Sequence, residues 1–438
     1  MLTFFAFLMV ATFMTLIMTK RMSALMALIL VPTVFALVAG FGAGLGDMML
    51  QGVRELAPTG VMLLFAILYF GLMIDVGLFD PLIKSIVRIV HGDPLRICLG
   101  TAVLTLIVAL DGDGTTTYMI TVSALLPLYR HMKMDIRIMA CLIMMSVGVM
   151  NIVPWGGPTT RAALALGVDV RELFVSLIPA MATTAVWVLV VAWMFGLRER
   201  KRLAALPEEA VDEDASGDEI IREQLDGEDH RRPRLFWFNL GLTLTLLGFL
   251  MAASIPLVIL FMGAFAIAAT VNYPNLQLQK DRVAAHAGNA MATVSLVFAA
   301  GIFTGILSGT KMVDAMAGSV IAVIPPELGP YMAPITALLS MPFTFLISND
   351  AFYFGMLPVL AKTAAEYGLT PMEIARASLV GQQIHLLSPL VASTYLLVGM
   401  SGLELADHQK FMFRWAVIAC FVFLATCLLL GLFPLHAG

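Results

Sequence analysis

The chain has 438 residues, of which 60% are hydrophobic and 13% charged, with a mean hydropathy of +0.92; this excludes an ordinary soluble core and implies a polytopic membrane protein. The net charge of -4 is largely local, because 12 of the 30 acidic residues fall within residues 199–229, and no basic patch suits nucleic acid. Cys98, Cys141, Cys420 and Cys427 lie in or beside apolar runs without CxxC or metal-ligand spacing, and read as small hydrophobes rather than redox groups.

Residues 1–19 are apolar, with no basic residue before them and no small-residue cleavage site after them, and read as a first span rather than a signal peptide. Spans of about 20 residues, the length that crosses a bilayer core, follow at 22–40 and 56–74, with a turn at Gly40–Gly46. Asp75 is placed at the inner end of the third span, at the interface. Residues 80–96, with Lys84 and Arg88 on one face, read as an amphipathic helix along the cytoplasmic surface.

Residues 97–128 contain LIVALDGDGTTTYMITVSALLPL. An aspartate at bilayer depth costs about 2.5–3.5 kcal/mol on insertion scales, so this segment cannot be a plain spanning helix and must fold back around a polar tip. Irregular backbone at that depth is tolerated where protein encloses it or where it lines a watery cavity. The tip therefore marks a solute pathway, and transport is the leading expectation. A span over 137–167 is interrupted by NIVPWGGPTT, and one over 174–196 closes the first half.

Residues 197–234 carry RERKR, a run of acidic residues and HRRPR without apolar periodicity, and read as a solvated, flexible linker that its basic flanks place in the cytoplasm. Spans at 235–252, 255–271, 283–308, 372–398 and 411–432 follow, with a second dipping hairpin over 330–360. Five crossings per half is odd, so halves joined by a cytoplasmic linker must be inverted. Loop charges agree: Lys20, Arg21, Lys84, Arg88, Arg96, Arg130, Lys133, Arg137, Lys280, Arg282, Lys410 and Arg414 all fall inside, with both chain ends outside. Parallel repeats with an even number of spans would put many of these on the wrong side. The expected fold is thus an all-α polytopic membrane protein of two inverted repeats, 1–196 and 235–438, each with five transmembrane spans and one re-entrant hairpin, around the cytoplasmic charged linker 197–234. Pro127 and Pro358, Asn151 and Gln382, and Pro158 and Pro389 each stand 231 positions apart, so the hairpin exits and helix breaks coincide.

Four polar interruptions carry the chemistry. The first tip offers Asp111, Asp113 and Thr115 as proton or cation sites, the second offers Ser348, Asn349 and Asp350, and a desolvated carboxyl can hold a proton near neutral pH. An alternative duty is to cap a half-helix, allowed more readily for Asp111 than for Asp113 or Asp350. The first break offers Asn151, Gly156, Gly157, Pro158, Thr159 and Thr160; the second offers Gln382, His385, Ser388 and Pro389. Half-helix N-termini suit a carboxylate, while carbonyls and side-chain oxygens suit a cation or proton. Arg161 either pairs with a substrate carboxylate or snorkels to the outer interface. His385 either carries a proton or satisfies a neighbour.

The DGDGTTTY tip, the NIVPWGGPTTRA break, the ISNDAFYFGMLP tip and the GQQIHLLSPLV break resemble the citrate–metal symporters of the CitMHS family, within the ion transporter superfamily. The resemblance spans nearly the whole chain outside the linker. It implies uptake of citrate complexed with a divalent metal ion, coupled to protons, across a bacterial cytoplasmic (inner) membrane. It also implies a homodimer in which a scaffold stays fixed while a transport domain moves as an elevator. No resident cofactor or fixed metal site follows; a magnesium- or calcium-type ion travels as co-substrate.

Physically, free citrate carries three negative charges at neutral pH, and a divalent ion leaves one to desolvate. An anion entering a cell that is negative inside opposes about 2.3 kcal/mol per 100 mV, so inward transport needs at least one proton. The competing readings are a sodium- or proton-coupled carrier of another di- or tricarboxylate or an inorganic anion, and a membrane enzyme. The enzyme lacks support, because no histidine adjoins the tip hydroxyls in sequence.

Overall fold

A computed structural model of the chain describes residues 2–19, 21–81, 83–85, 93–205, 230–252, 255–322, 325, 327–388 and 391–437. No strand occurs among them. In chain order the helices are α1 (Leu2–Met18), α2 (Ala24–Val38), α3 (Leu45–Asp75), α4 (Pro94–Val108), α5 (Gly114–His131), α6 (Ile136–Met150), α7 (Gly157–Leu166) and α8 (Val170–Ala204). Then come α9 (Phe236–Ala252), α10 (Leu257–Asn272), α11 (Leu276–Gly309), α12 (Met312–Ile321), α13 (Met332–Leu346), α14 (Leu357–Ala365), α15 (Pro371–Ser378), α16 (Gln382–His385), α17 (Ala392–Ser401) and α18 (Leu405–Leu429). Six described helices are long and apolar enough to cross a bilayer: α3, α4 with the following turn, α8, α9 with the preceding turn, α11 and α18.

Each start has a local cause. Asp93, Asp113, Asp135, Asp169 and Asn275 lie in extended backbone and cap α4, α5, α6, α8 and α11 by accepting from amides of the first turn. Thr370 and Glu373 close a reciprocal capping box on α15. Asp93 also accepts from Arg200 at 2.6 Å, which fastens the foot of the first hairpin to the end of α8 and holds its carboxyl below the usual carboxylate range. The expected turn at 40–46 is present over 40–44, with Gly40 and Gly44 at φ of 89° and 83° and residues 45 and 46 already in α3.

α3 and α11 form the principal helix pair, and α2 and α10 pack onto it. Their contact is backbone on backbone: a Cβ built on Gly52 would lie 1.9 Å from the Gly301 carbonyl oxygen, and one on Gly305 would lie 2.3 Å from that of Met48. Gly301, Gly305 and Gly309, four residues apart along α11, line the seam as small-residue helix contacts do. Elsewhere the packing interleaves the halves. α7 lies against α14 and the π-helical turn Ala351–Met356 of the second hairpin, and α17 lies against α5 of the first.

Several boundaries differ from the sequence reading. α3 starts at Leu45 rather than 56 and α11 at Leu276 rather than 283, because their polar first turns stay helical through local bonds such as Gln51 Nε2 to Glu55 at 3.0 Å and the Asn275 cap. α8 runs on to Ala204, so residues 197–204 of the expected linker are helix, with Arg202 paired to Glu199 at 2.7 Å. The rest of the linker, apart from 205 and 230–234, lies outside the described residues. Of the surface helix expected over 80–96, residues 80, 81 and 83–85 are helical, 82 and 86–92 lie outside the described residues, and 93–96 belong to α4 and its cap. α12 was not anticipated. The second break divides its span into α15, a 3-10 turn at Leu379–Gly381, α16 and α17.

Replacing Gly52 by Ala is expected to lower the thermal unfolding midpoint in detergent by several degrees, since overpacking costs about 1–3 kcal/mol. Gly248→Ala, where a Cβ meets nothing within 4 Å, is expected to leave the midpoint unchanged. Equal midpoints for the two variants would contradict the close seam.

Candidate functional site

At the first tip, Asp111 and Asp113 have different duties. Asp113 accepts from Thr115 N and Thr116 N at 3.1 Å and from Thr116 Oγ1 at 2.6 Å, which caps α5 and satisfies the carboxylate at a helix N-terminus. Asp111 Oδ1 accepts from Asp113 N at 3.0 Å and Thr117 Oγ1 at 3.3 Å, while its buried Oδ2 has no partner among the described residues. Capping, allowed above more readily for Asp111, thus falls to Asp113. Gly112 between them sits at φ of 76°, and a Cβ there would come 2.7 Å from the Trp155 ring. Trp155 Nε1 donates to Leu110 O at 2.8 Å, and its ring rests on Phe70 and Phe261 at 5.0 and 5.2 Å. The tip is therefore wedged between the first break and the α3–α10 wall.

The first break is stitched by its own hydroxyls. Thr159 Oγ1 donates to Ile152 O at 2.8 Å, and Thr160 Oγ1 donates to Gly156 O at 2.9 Å. A Cβ on Gly156 would lie 2.1 Å from Asn151 O, so only glycine allows the turn. α7 then starts at Gly157 with no side-chain cap, leaving first-turn amides without a side-chain acceptor.

At the second tip Ser348 Oγ accepts from Ala351 N at 3.1 Å. Asn349 Nδ2 donates to Gln382 Oε1 at 3.4 Å, Gln382 Nε2 donates to Tyr353 Oη at 2.8 Å, and the buried Asn349 Oδ1 has no partner among the described residues. His385 Nδ1 donates to Thr344 O at 2.7 Å, and Ser388 Oγ donates to Phe345 O at 2.7 Å. The remaining contact joins the halves: Arg161 Nε lies 2.6 Å from Asp350 Oδ1, with side chains 24% and 16% exposed. Neither reading of Arg161 anticipated this pairing. The guanidinium faces a carboxylate of the chain itself rather than the outer interface.

The two tips meet both breaks at one cavity of about 630 Å³. Asp111, Asp113 and Thr115 line it, as do Asn151, Gly157, Pro158, Thr160 and Arg161, then Ser348, Asn349, Asp350 and His385. Gly156, Thr159, Gln382 and Ser388 stand behind that wall and hold it, while Pro389 lies outside the described residues. The sequence reading missed the wall supplied by α3 and α11, including Phe70, Gly71, His286 and Thr293. Asp75 is more than an interface residue: its Oδ2 lies 2.8 Å from His286 Nε2 and 3.3 Å from Arg282. The signal was Arg282 and His286 one turn apart in an apolar run, opposite an aspartate ending another.

A family model described as Citrate transporter, CitMHS, matches residues 10–381. Two proteins of Bacillus subtilis (strain 168) are similar over nearly their full lengths. One, named Citrate transporter, is 56% identical, with 99% of each chain covered; the other, named Mg(2+)/citrate complex secondary transporter, is 53% identical, with 98% of this chain and 99% of that one covered. Among solved structures, the fold is similar to the Neisseria gonorrhoeae MtrF efflux pump, at a TM-score of 0.61 and 13% identity over 87% of this chain and 83% of that one. It is also similar to the Alcanivorax borkumensis YdaH transporter, at 0.56 and 14% over 89% and 88%.

Arg161→Gln and Asp350→Asn are each expected to lose about 1–3 kcal/mol of stability, because each strands a partly buried charge, and the double replacement less than the sum of the two. Thermal unfolding of the four forms in detergent checks this. Strict additivity would show that the pair does not couple the halves.

Proposed function

This chain belongs to the CitMHS family of citrate transporters, and on that premise we propose that it is a secondary active transporter importing citrate as its complex with a divalent metal ion, together with protons. The family is one of transporters, not enzymes. The observation that most supports the cargo is the pair of buried oxygens with no partner among the described residues, Asp111 Oδ2 and Asn349 Oδ1, one from each tip, on residues that line one cavity with the uncapped start of α7. Hard oxygens suit magnesium or calcium, and free helix amides suit a carboxylate. A relative named for the Mg(2+)/citrate complex is in keeping with this reading. With Arg161 committed to Asp350, the Thr160 hydroxyl to Gly156 O and the His385 Nδ1–H to Thr344 O, the carboxylate of the cargo is left to the amides at the start of α7, with the Ser348 hydroxyl across the cavity.

Proton coupling in this reading falls mainly to Asp111, since Asp113 is spent on its cap and Asp350 on Arg161. The succession of hairpin, broken helix and long helix in both halves is in keeping with two inverted repeats over 1–196 and 235–438. We take the α3–α11 seam as the scaffold, and the hairpins with the broken helices as the domain that moves as an elevator, in a homodimer in the bacterial inner membrane.

Citrate with magnesium is expected to raise the thermal unfolding midpoint by several degrees, and either alone by much less. A full shift from metal-free citrate would refute the complex as cargo. In proteoliposomes, Asp111→Asn is expected to cut citrate uptake driven by an inward pH gradient about tenfold or more. Unchanged uptake would remove Asp111 from the proton route.

A further inference from the structure

The cavity has a charged wall that the hairpin tips do not supply. Asp75 at the end of α3 faces Arg282 and His286 on α11, both directed at its Oδ2, and the three side chains are 15–20% exposed. The imidazole lies flat on α3 because position 71 is glycine, where a Cβ would come 2.6 Å from His286 Nδ1. His286 lines the cavity; Asp75 and Arg282 stand behind it. The other elements packed against α11 bring few charges of their own. α2 has none, α12 has Asp314, which is paired with Lys362 at 3.0 Å, and α7 has Arg161, which is paired with Asp350. Tyr353 of the π-helical turn is bonded to Ser378 and Gln382, and on α11 itself Lys280 and Asp281 are exposed.

We infer that His286, held by Asp75 against Gly71, is a second proton-binding group of this cavity, and that its protonation turns the α3–α11 wall from neutral to cationic toward an anionic cargo. The inference rests on the transport reading for its cargo but not for its proton. With a neutral imidazole the charges of Asp75, Arg282 and His286 sum to zero; one proton makes them +1, opposite to the single negative charge of a metal–citrate complex. Imidazole is the side chain that ordinarily changes charge between about pH 5 and 8, and Asp75 Oδ2, 2.8 Å from Nε2, is placed to accept its N–H in either charge state. The proton passes from a hydronium ion to the imidazole nitrogen lone pair, and the O–H bond of the donor breaks as the N–H bond forms. Two of the three tip aspartates are committed within the protein, so a cycle that moves more than one proton has a second place for it here.

Two measurements on the full chain in detergent test this. Calorimetry in buffers of different ionisation enthalpy counts the protons taken up when magnesium citrate binds at about pH 7. His286→Gln is expected to take up at least half a proton fewer than the unaltered chain, and Asp75→Asn is expected to lose uptake likewise; equal uptake in all three overturns the inference. If His286→Gln does not fold, Asp75→Asn, which leaves the ring in place, decides in the same way. The second measurement needs no cargo: ring signals of the seven histidines are followed by NMR from about pH 5 to 8. One titrating signal is expected to vanish in His286→Gln or to move in Asp75→Asn. A His286 signal flat through that range overturns the inference, while a titrating one in a chain that binds no citrate supports the proton site and overturns the transport reading.

Discussion

The contact between Arg161 and Asp350 determines where everything else in the site can sit. The two residues are 189 positions apart, one just past the first turn of α7 and the other on the second hairpin tip. In a chain that keeps charge out of its apolar helices, a guanidinium and a carboxylate at this depth have few alternatives to each other, because each alone would carry a desolvation penalty of several kcal/mol. Their union brings the second tip to the start of the first broken helix. The packing of α17 on α5 does the reciprocal work at the first tip.

Within that frame, local hydrogen bonds consume most of the polar groups and leave a small remainder. Asp113 and Ser348 cap, Thr159 and Thr160 stitch the first break, Trp155 clasps the first tip, and Gln382 links Asn349 to Tyr353. A buried oxygen without a partner costs about 1–3 kcal/mol, and Asp111 and Asn349, which each carry such an oxygen among the described residues, both line one cavity. That residue of unmet bonding is what a hydrated or chelated cation can meet, and it explains why satisfied tips alone would make a fold rather than a site.

Much of this was legible in the sequence, for an identifiable reason. Polar residues in mid-hydrocarbon are costly, so Asp111, Asp113, Asn349 and Asp350 announced both tips, and Pro154, Gly156, Gly157 and Pro158 announced the first break. Roles were harder to read than places. Which aspartate caps depends on the backbone turning at Gly112, and whether Arg161 meets cargo, lipid or Asp350 depends on how two distant segments dock. The α3–α11 wall stayed hidden because its seam is made of small residues and its Asp75–His286 contact is split between two distant segments, with Asp75 by itself reading as an interface residue. α12, with only Asp314 in an otherwise weakly patterned stretch, carried no comparable signal.

The central claim is that the oxygens left over at the two tips, together with the first-turn amides of α7 that no side chain caps, hold a divalent ion and a carboxylate in one place. A crystal structure with manganese and citrate, using the anomalous scattering of the metal, tests it most directly. The account predicts a single strong peak in the cavity between Asp111 and Asn349 with citrate density reaching the start of α7. A metal peak elsewhere, or citrate bound there without metal, would contradict it.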